Sequence, residues 1–468
     1  MGSEGHRLTY PGAINLLLSM VDHERVDHER NQPVGPRQKA IFDLARMERL
    51  LQRLGNPHHT ATTIHVAGTK GKGSTASLCD SALHAAGYQT GFYSSPHLHS
   101  FCERIRRNTD SITQDEFSRL VEELWPHQEW VGQNENLGPV TLFEFMTAMA
   151  FQSFSDNKAD FQVIEVGLGG RLDATNVVNS DVSVITSISL DHTAILGDTI
   201  GEIAREKAGI IKSGGTVVIA PQKPEAMSAI LDVCHSVSAT PIQVGKDVTW
   251  TPGSASVDGQ ELTVTGRANT YNLRVPLLGK YQLENAATAV AALEALEEQG
   301  HSIPDEAIQR GFSDVTWPCR MEVLGRNPLV VVDGAHNEYS MDSLLESLAS
   351  YMNFRRLILV VGFSRDKSVA GMVGRLAKEN PVVFASRSRH PRSTTPAQIM
   401  SLFDEQGIQA TETASSAEAV TRALDLADES DLVLATGSLF VAAEVREKIL
   451  GIEPELYPDL LPADLRTN

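Results

Sequence analysis

Gly68, Thr69, Gly71, Lys72, Gly73, Ser74 and Thr75 bring together the residue types that hold a polyphosphate. Glycines let the backbone curl until several N–H groups point at one anion, and a helix starting there adds the positive end of its dipole. Lys72 supplies a mobile charge for the outer phosphates, and Ser74 or Thr75 a hydroxyl near a metal ion. The apolar residues 64–67 ahead of the turn read as a strand, and residues 76–86 behind it as a helix. The strict G-x-x-x-x-G-K-[ST] pattern is not met, because Val66 stands where the first glycine belongs and Gly73 separates Lys72 from Ser74. A flexible glycine turn is the plain alternative. Strand, Gly-Lys-Gly and Ser-Thr in register favour a nucleoside triphosphate site.

Further candidates stand where strand-like runs end. Glu165 lies at the end of the apolar run 161–166, and a carboxylate there faces the crevice in which open α/β sheets bind ligands. Beside a phosphate loop it suits Mg²⁺; the alternative is a surface ion pair. His192, after the run 182–187, reaches the same edge. Mg²⁺ prefers oxygen, so a metal role for His192 rests on its position next to Glu165. Lys207, while protonated, cannot bind a cation and on its own reads as a solvated helix lysine. Asp333 and His336, after the run 330–332, repeat the strand-end logic, with Asp333 suited to a ribose hydroxyl. Arg320 can turn a permanent charge toward phosphates. Arg387, Arg389, His390 and Arg392 crowd one loop; forked carboxylate recognition and a plain surface cluster are equal readings of it.

The elements that must position these groups alternate. Strand-length apolar runs at 161–166 and 182–187, with helical stretches at 141–154 and 199–212, predict a parallel sheet covered by helices. Residues 216–276 change to short strands with Pro, Gly and Thr and read as a smaller β-rich portion, followed by a strong helix over 283–296. Residues 311–318 read as a junction. Beyond it the runs 329–332, 356–361, 382–385 and 432–435 predict a second doubly wound unit. The fold class is therefore α/β, with a cleft between two units as the natural place for two substrates.

The 468 residues suffice for such units, and a net charge of −19, from 40 Lys and Arg against 59 Asp and Glu, argues against a nucleic-acid or anionic-membrane partner. Cys79, Cys102, Cys234 and Cys319 form no paired motif and suggest a reducing compartment without a zinc site. The apolar run 13–21 lacks a basic flank and a cleavage site and reads as a helix, and no apolar run approaches ~18 residues. A cytoplasmic location is expected. The pentapeptide Val-Asp-His-Glu-Arg at 21–25 recurs at 26–30; a solvated duplicated insert is favoured over a metal site, since a period of five fits no repeat architecture.

Taken in order, residues 68–75, 94–98 (SSPHL), 103–106 (ERIR), 141–144 (TLFE), 165–176 (EVGLGGRLDATN), 190–192 (LDH), 206–212 (EKAGIIK), Asn285, 333–337 (DGAHN) and 437–440 (GSLF) resemble the folylpolyglutamate synthase/dihydrofolate synthase family of Mur ligases. The likeness runs from about residue 42 to 446. It implies a Mur-ligase-type ATP-binding domain over 1–314 and a Rossmann-like domain over 315–468. Gly68, Thr69, Gly71, Lys72, Gly73, Ser74 and Thr75 would hold ATP, completed by Asn285, Arg320, Asp333 and His336. Ser95, Glu165, His192 and Lys207, the last as a carbamate, would hold two Mg²⁺ ions, with Lys72, Glu165, His192 and Lys207 serving catalysis and K⁺ a further candidate ion. Lys39, Phe42, Thr141, Leu142, Phe143, Glu144, Leu172, Asp173 and Ala174 would line a pterin or folate pocket, and Arg387 and Arg392 would meet glutamate carboxylates. The implied reaction is ATP-driven amide formation by a monomer between L-glutamate and dihydropteroate or a reduced folate, with both activities on one site favoured over a polyglutamate synthase alone. Lys70, where bacterial members most often carry Asn, Asn108–Thr109 in place of Asn–Gly, and Tyr281, where His is frequent, depart from the pattern. The rivals are another Mur-type ligase and, in a different class, a protein that hydrolyses ATP without forming a bond.

Overall fold

β-Branched runs form the strands of two separate, largely parallel sheets in the computed structural model, which describes residues 8–20, 43–134 and 137–457. In the first sheet β1 (Thr62–Ala67), β2 (Thr90–Tyr93), β5 (Phe161–Glu165), β6 (Val182–Ile185), β7 (Thr216–Ile219) and β8 (Thr240–Gln243) run parallel in the order β2-β5-β1-β6-β7-β8. A short antiparallel edge, β3 (Ile105–Arg107) and β4 (Asp110–Ser111), extends it beside β2. Alternate residues pack on opposite faces, as a strand's period of two requires. Ile64, Val66, Val163 and Val184 join one core, under the helices Lys72–Ala85 and Lys280–Glu298. Ile164 joins a second, under Gln114–Asn134 and Leu142–Asp156.

The second sheet has the order β12-β13-β17-β14-β15-β16, built from β12 (Glu322–Arg326), β13 (Leu329–Val332), β14 (Leu357–Val361), β15 (Val382–Ala385), β16 (Ala410–Glu412) and β17 (Leu432–Thr436). All neighbours are parallel except β12 with β13. In both sheets the chain crosses over a strand laid down later, β5 between β1 and β2, and β17 between β13 and β14. Such crossings put strand C-terminal ends around a ligand crevice.

Three sequence expectations are corrected. The β-rich portion is confined to the antiparallel sheet β9 (Thr249–Ser256), β10 (Gly259–Thr265) and β11 (Thr270–Val275), whereas β7 and β8 belong to the main sheet and Pro224–Ser236 is a helix between them. The apolar Val217–Val218 pair, buried on both faces, drives that pairing. The second sheet has six strands rather than four, because the edge strands β12 and β16 are too polar to stand out as apolar runs. Gly311 lies inside the helix Asp305–Asp314 rather than in a junction; a Cβ there would sit 2.5 Å from Ala82 Cα, so glycine permits the two helices to touch. The helix Tyr10–Leu18, capped by Thr9, covers residues 13–18 of the run 13–21 expected to be helical and begins three residues ahead of it. The duplicated pentapeptide, Lys39 and Phe42 lie outside the described residues.

Candidate active site

The helix Lys72–Ala85 starts from Gly71, whose φ of 88° is left-handed. A Cβ at Gly71 would lie 2.3 Å from Asn285 Oδ1 and one at Gly73 2.3 Å from the Trp317 ring, so side chains from beyond residue 280 close directly over the loop. The loop is anchored from the other side. Thr69 N and Lys70 N donate to Ser187 O at 2.9 and 3.1 Å, and Ser189 N donates to Thr69 Oγ1 at 3.2 Å. The first N–H groups of the helix lack intrahelical acceptors and face the cleft.

Around this anion cradle sits a set of charges that burial has altered. Lys72 Nζ stands 3.8 Å from Glu165 Oε1, while Glu165 Oε2 is buried without a partner. Burial raises the Glu165 carboxyl, against the pull of Lys72 and Arg320. Lys207 is 5 % exposed and donates to Gly68 O at 2.9 Å. Burial, then the charge of Lys72, lowers its pKa to about 7. Burial likewise lowers His192 to about 4, against the attraction of Asp191, whose Oδ1 lies 3.9 Å from His192 Nε2. Near neutrality His192 is therefore a neutral imidazole.

Asp191 is the meeting point of the two halves of the chain. Lys70, on the phosphate loop, reaches its Oδ2 at 3.5 Å, and Lys367, from the loop after β14, reaches its Oδ1 at 3.3 Å. Burial alone would raise the Asp191 carboxyl, but Lys70 and Lys367 hold it well below the usual range. Lys70 Nζ also lies 3.1 Å from His336 Nε2. His336 Nδ1 lies 2.8 Å from Gly334 O, which can only accept, so the ring proton is on Nδ1 and Nε2 offers a lone pair. Burial, then the Lys70 charge, lowers His336 to about 3.

Asp333 follows β13 and is buried with both oxygens engaged: Oδ1 accepts from Ala335 N at 2.7 Å and Oδ2 from Met321 N at 2.8 Å. Cys319 and Met321 adopt left-handed φ values of 57° and 49°, a conformation costly for residues with a Cβ. Asp333 thus pins the strained turn that presents Arg320, whose charge in turn opposes the burial-driven rise of the Asp333 carboxyl.

At the other end of the cleft, Thr141 and Glu144 form a capping box on the helix Leu142–Asp156. Glu144 also takes Arg46 Nε at 3.1 Å and NH2 at 2.9 Å in a buried ion pair. Asp173 Oδ2 accepts from Leu168 N at 2.8 Å and Oδ1 from Thr175 N at 3.0 Å. Both acids hold backbone in place, leaving Leu142, Phe143, Leu172 and Ala174 as the apolar wall.

One cleft of about 920 Å³ joins these parts. Its wall contains Thr69, Lys72, Gly73, Ser74, Ser95, Glu165, His192, Asn285, Arg320, Asp333 and His336 together with the apolar segments just named. Gly68, Thr75 and Lys207 stand behind it, with Lys207 reaching Gly68 O. Of the arginine loop, Arg392 lines the cleft and Arg387 does not; Arg389 does, paired with Glu447 at 2.6 Å. Nothing in the sequence singles out Lys367 or Trp317, and Arg389 is placed only in the arginine loop. Lys367 lies in the loop after β14 (Leu357–Val361), separated from the strand by residues 362–366, so it carries no strand-end signal of the kind that marks Asp333 directly after β13. Among the described residues no cluster of three or more His, Cys, Asp or Glu side chains forms a ready metal cage, and no helix is long and apolar enough to cross a membrane.

The chain matches the Mur ligase middle domain over residues 66–293 and the glutamate ligase domain of Mur ligases over 319–439. It is 36% identical over 411 residues to the dihydrofolate synthase/folylpolyglutamate synthase of Bacillus subtilis, covering 87% of this chain and 94% of that one. The Escherichia coli protein of the same name is 33% identical over 441 residues, covering 94% and 97%. Among solved structures, Mycobacterium tuberculosis folylpolyglutamate synthase complexed with ADP superposes with a TM-score of 0.83 at 32% identity, covering 88% of this chain and 95% of that one. Escherichia coli FolC in complex with DHPP and ADP gives 0.80 at 30%, covering 94% and 98%.

Proposed function

The chain belongs to the dihydrofolate synthase/folylpolyglutamate synthase family of Mur ligases, and from that premise we propose that it adds L-glutamate to both dihydropteroate and reduced folates, acting as a monomer. It is an ATP-dependent ligase. The observation that carries the finer reading is the single cleft in which the phosphate loop, the second sheet's Asp333 and His336, and the apolar segment Leu142, Phe143, Leu172 and Ala174 share one wall. We divide the chain into an ATP-binding domain that carries the pterin site, residues 1–314, and a Rossmann-like domain, residues 315–468. The four cysteines, all buried and unpaired, fit a cytoplasmic location.

The acceptor's carboxylate oxygen attacks the γ-phosphorus in line, forming an acyl phosphate as ADP leaves. The glutamate amine then attacks the acyl carbon, the C–N bond forms, a proton is lost and phosphate departs. Water alone cannot drive this, because oxide is a poor leaving group and phosphate a good one. The N–H groups of Gly71 to Ser74 and the Lys72 ammonium neutralise charge on the transferring phosphoryl group. Lys70 is positioned to turn from Asp191 to the same phosphates, and Arg320 adds a fixed charge from the opposite side.

The partnerless Glu165 oxygen beside the phosphate loop and the neutral His192 fit a cation-binding role. Ser95, Glu165 and His192 would hold Mg²⁺, which when bound offsets phosphate charge and orients the nucleotide. Lys207, with a pKa of about 7, offers a neutral amine whose nitrogen would bond to CO₂ and release a proton, and the resulting carbamate oxygens would suit the same cation. Arg392, on the cleft wall, is a better candidate than Arg387 for a glutamate carboxylate.

The reading is tested by following ADP release with L-glutamate and each acceptor in turn. Glutamate-dependent turnover with both dihydropteroate and tetrahydrofolate supports it. Turnover with one acceptor reduces it to that single activity, and turnover independent of any acceptor overturns it.

A further inference from the structure

The helix Leu439–Leu450 ends at Gly451, whose φ of 66° turns the chain, and Ile452 N closes the end by donating to Glu447 O at 3.0 Å. Residues 452–457 then leave the second sheet and cross to the first half of the molecule. There Glu455 accepts from Tyr10 OH at 2.9 Å and Gln114 Nε2 at 3.3 Å, and Tyr457 OH donates to the same carboxylate. The Tyr457 ring meets Phe101 edge-on, with centroids 5.5 Å apart. The root of this strap is tied to the same loop: His99 Nδ1 lies 3.1 Å from Glu447 and His99 Nε2 3.1 Å from Arg446 NH1.

Fixed on both sides, Leu456 stands on the cleft wall and is 57 % exposed. A lone exposed leucine needs no explanation. This one is presented by two anchored neighbours toward a ligand cleft, and its location says which ligand. Phe101 belongs to the core that contains Leu142 and Ala174, and Tyr457 and Phe143 both pack against that core. The phosphate loop instead abuts the cores on the nucleotide side, through Val66, Ala67 and Ala76. The strap also lies beyond the stretch matched to the glutamate ligase domain, which stops at residue 439.

We propose that Leu456 is a specificity-determining contact for the aromatic part of the acceptor, carried across from the second half of the chain by the strap 452–457. The inference rests on the reading that Leu142, Phe143, Leu172 and Ala174 form the acceptor end. A substrate with a flat ring system would cover Leu456, and removing its side chain would weaken that substrate alone.

The test compares Leu456→Ala, Leu456→Met and Phe143→Ala in the full chain, measuring KM for tetrahydrofolate, ATP and glutamate separately. Leu456→Ala is expected to raise the KM for the acceptor roughly 10-fold, in keeping with loss of a buried aliphatic contact. The ATP and glutamate values should stay within about 2-fold, and Leu456→Met should restore the acceptor value, a pattern a merely structural strap would not give. If Phe143→Ala raises the acceptor KM and Leu456→Ala does not, the strap proposal is overturned while the acceptor end stands. If neither does, the acceptor end is misplaced and the proposal falls with it. An equal rise in all three constants would assign the strap to domain docking and also overturn it.

Discussion

Gly71→Ala sets the steric argument for the phosphate loop against a built-in control. At Gly71 the φ of 88° already strains a residue with a Cβ, and that Cβ would meet Asn285 Oδ1 at 2.3 Å. Asn285 would have to move and give up its 2.8 Å bond from Nδ2 to Gln282 Oε1. Backbone strain and the lost buried bond together cost about 2–5 kcal/mol. At Gly87 the φ is 94°, but nothing lies within 4 Å of a Cβ, so Gly87→Ala carries only the strain, about 1–2 kcal/mol. Catalysis separates the two further, because loop N–H groups displaced by roughly 1 Å lose about 10²-fold in rate. Steady-state kinetics with varied ATP, beside urea-unfolding midpoints, read both effects. Gly71→Ala is expected to lose about 10²-fold in kcat/KM for ATP and Gly87→Ala almost nothing. Wild-type kinetics in Gly71→Ala, or equal losses in both, would refute the reasoning.

Lys207→Met is expected to abolish ligation without lowering thermal stability near neutral pH, since it removes an amine that burial disfavours as a cation. The sign follows from proton binding. Between about pH 7 and 10.5 the unfolded chain holds a proton on Lys207 that the folded protein lacks, so stability rises with pH across that window. Lys70 and Lys212, both lowered to about 8, act in the same direction; denaturation curves from pH 7 to 10 should therefore show a shallower rise in the variant, not a flat one. Wild-type activity at limiting CO₂ should climb through pH 7 and respond to added bicarbonate, and indifference to bicarbonate would count against a carbamate. Arg46→Ala leaves Glu144 buried and uncompensated and should destabilise the protein by about 3–5 kcal/mol. It should also raise the acceptor KM more than the ATP KM, because Glu144 caps the helix that begins the apolar wall; equal effects on both would place the damage elsewhere.

The strand–glycine–helix unit around Lys72 was legible because local chemistry determines it: apolar β-branched residues, then glycines, then small helix formers. Glu165 and Asp333 were legible for a related reason, each standing where an apolar run meets polar residues. What the sequence hid was decided by packing between distant segments. β7 and β8 look like part of a Pro- and Thr-rich β region until the parallel pairing of β7 with β6, and of β8 with β7, is seen. The ion group Lys70–Asp191–Lys367 joins residues from both halves, and no spacing encodes it. In the arginine loop the types were visible, but which side chain turns into the cleft depends on Glu444 and Glu447 of the helix Leu439–Leu450, which engage Arg389. Glu144 and Asp173 were read as ligand contacts because the resemblance implies it; both line the cleft, and both also accept from backbone N–H groups, which no spacing encodes. The strap 452–457 has no motif at all.

The most direct test of the central claim follows an oxygen atom. With the acceptor's reacting carboxylate labelled with ¹⁸O and supplied with ATP and L-glutamate, an acyl phosphate pathway transfers one labelled oxygen to the phosphate released for each amide formed. Mass spectrometry of that phosphate should show one ¹⁸O per molecule. Unlabelled phosphate alongside amide product, or phosphate formed without amide, would contradict the account.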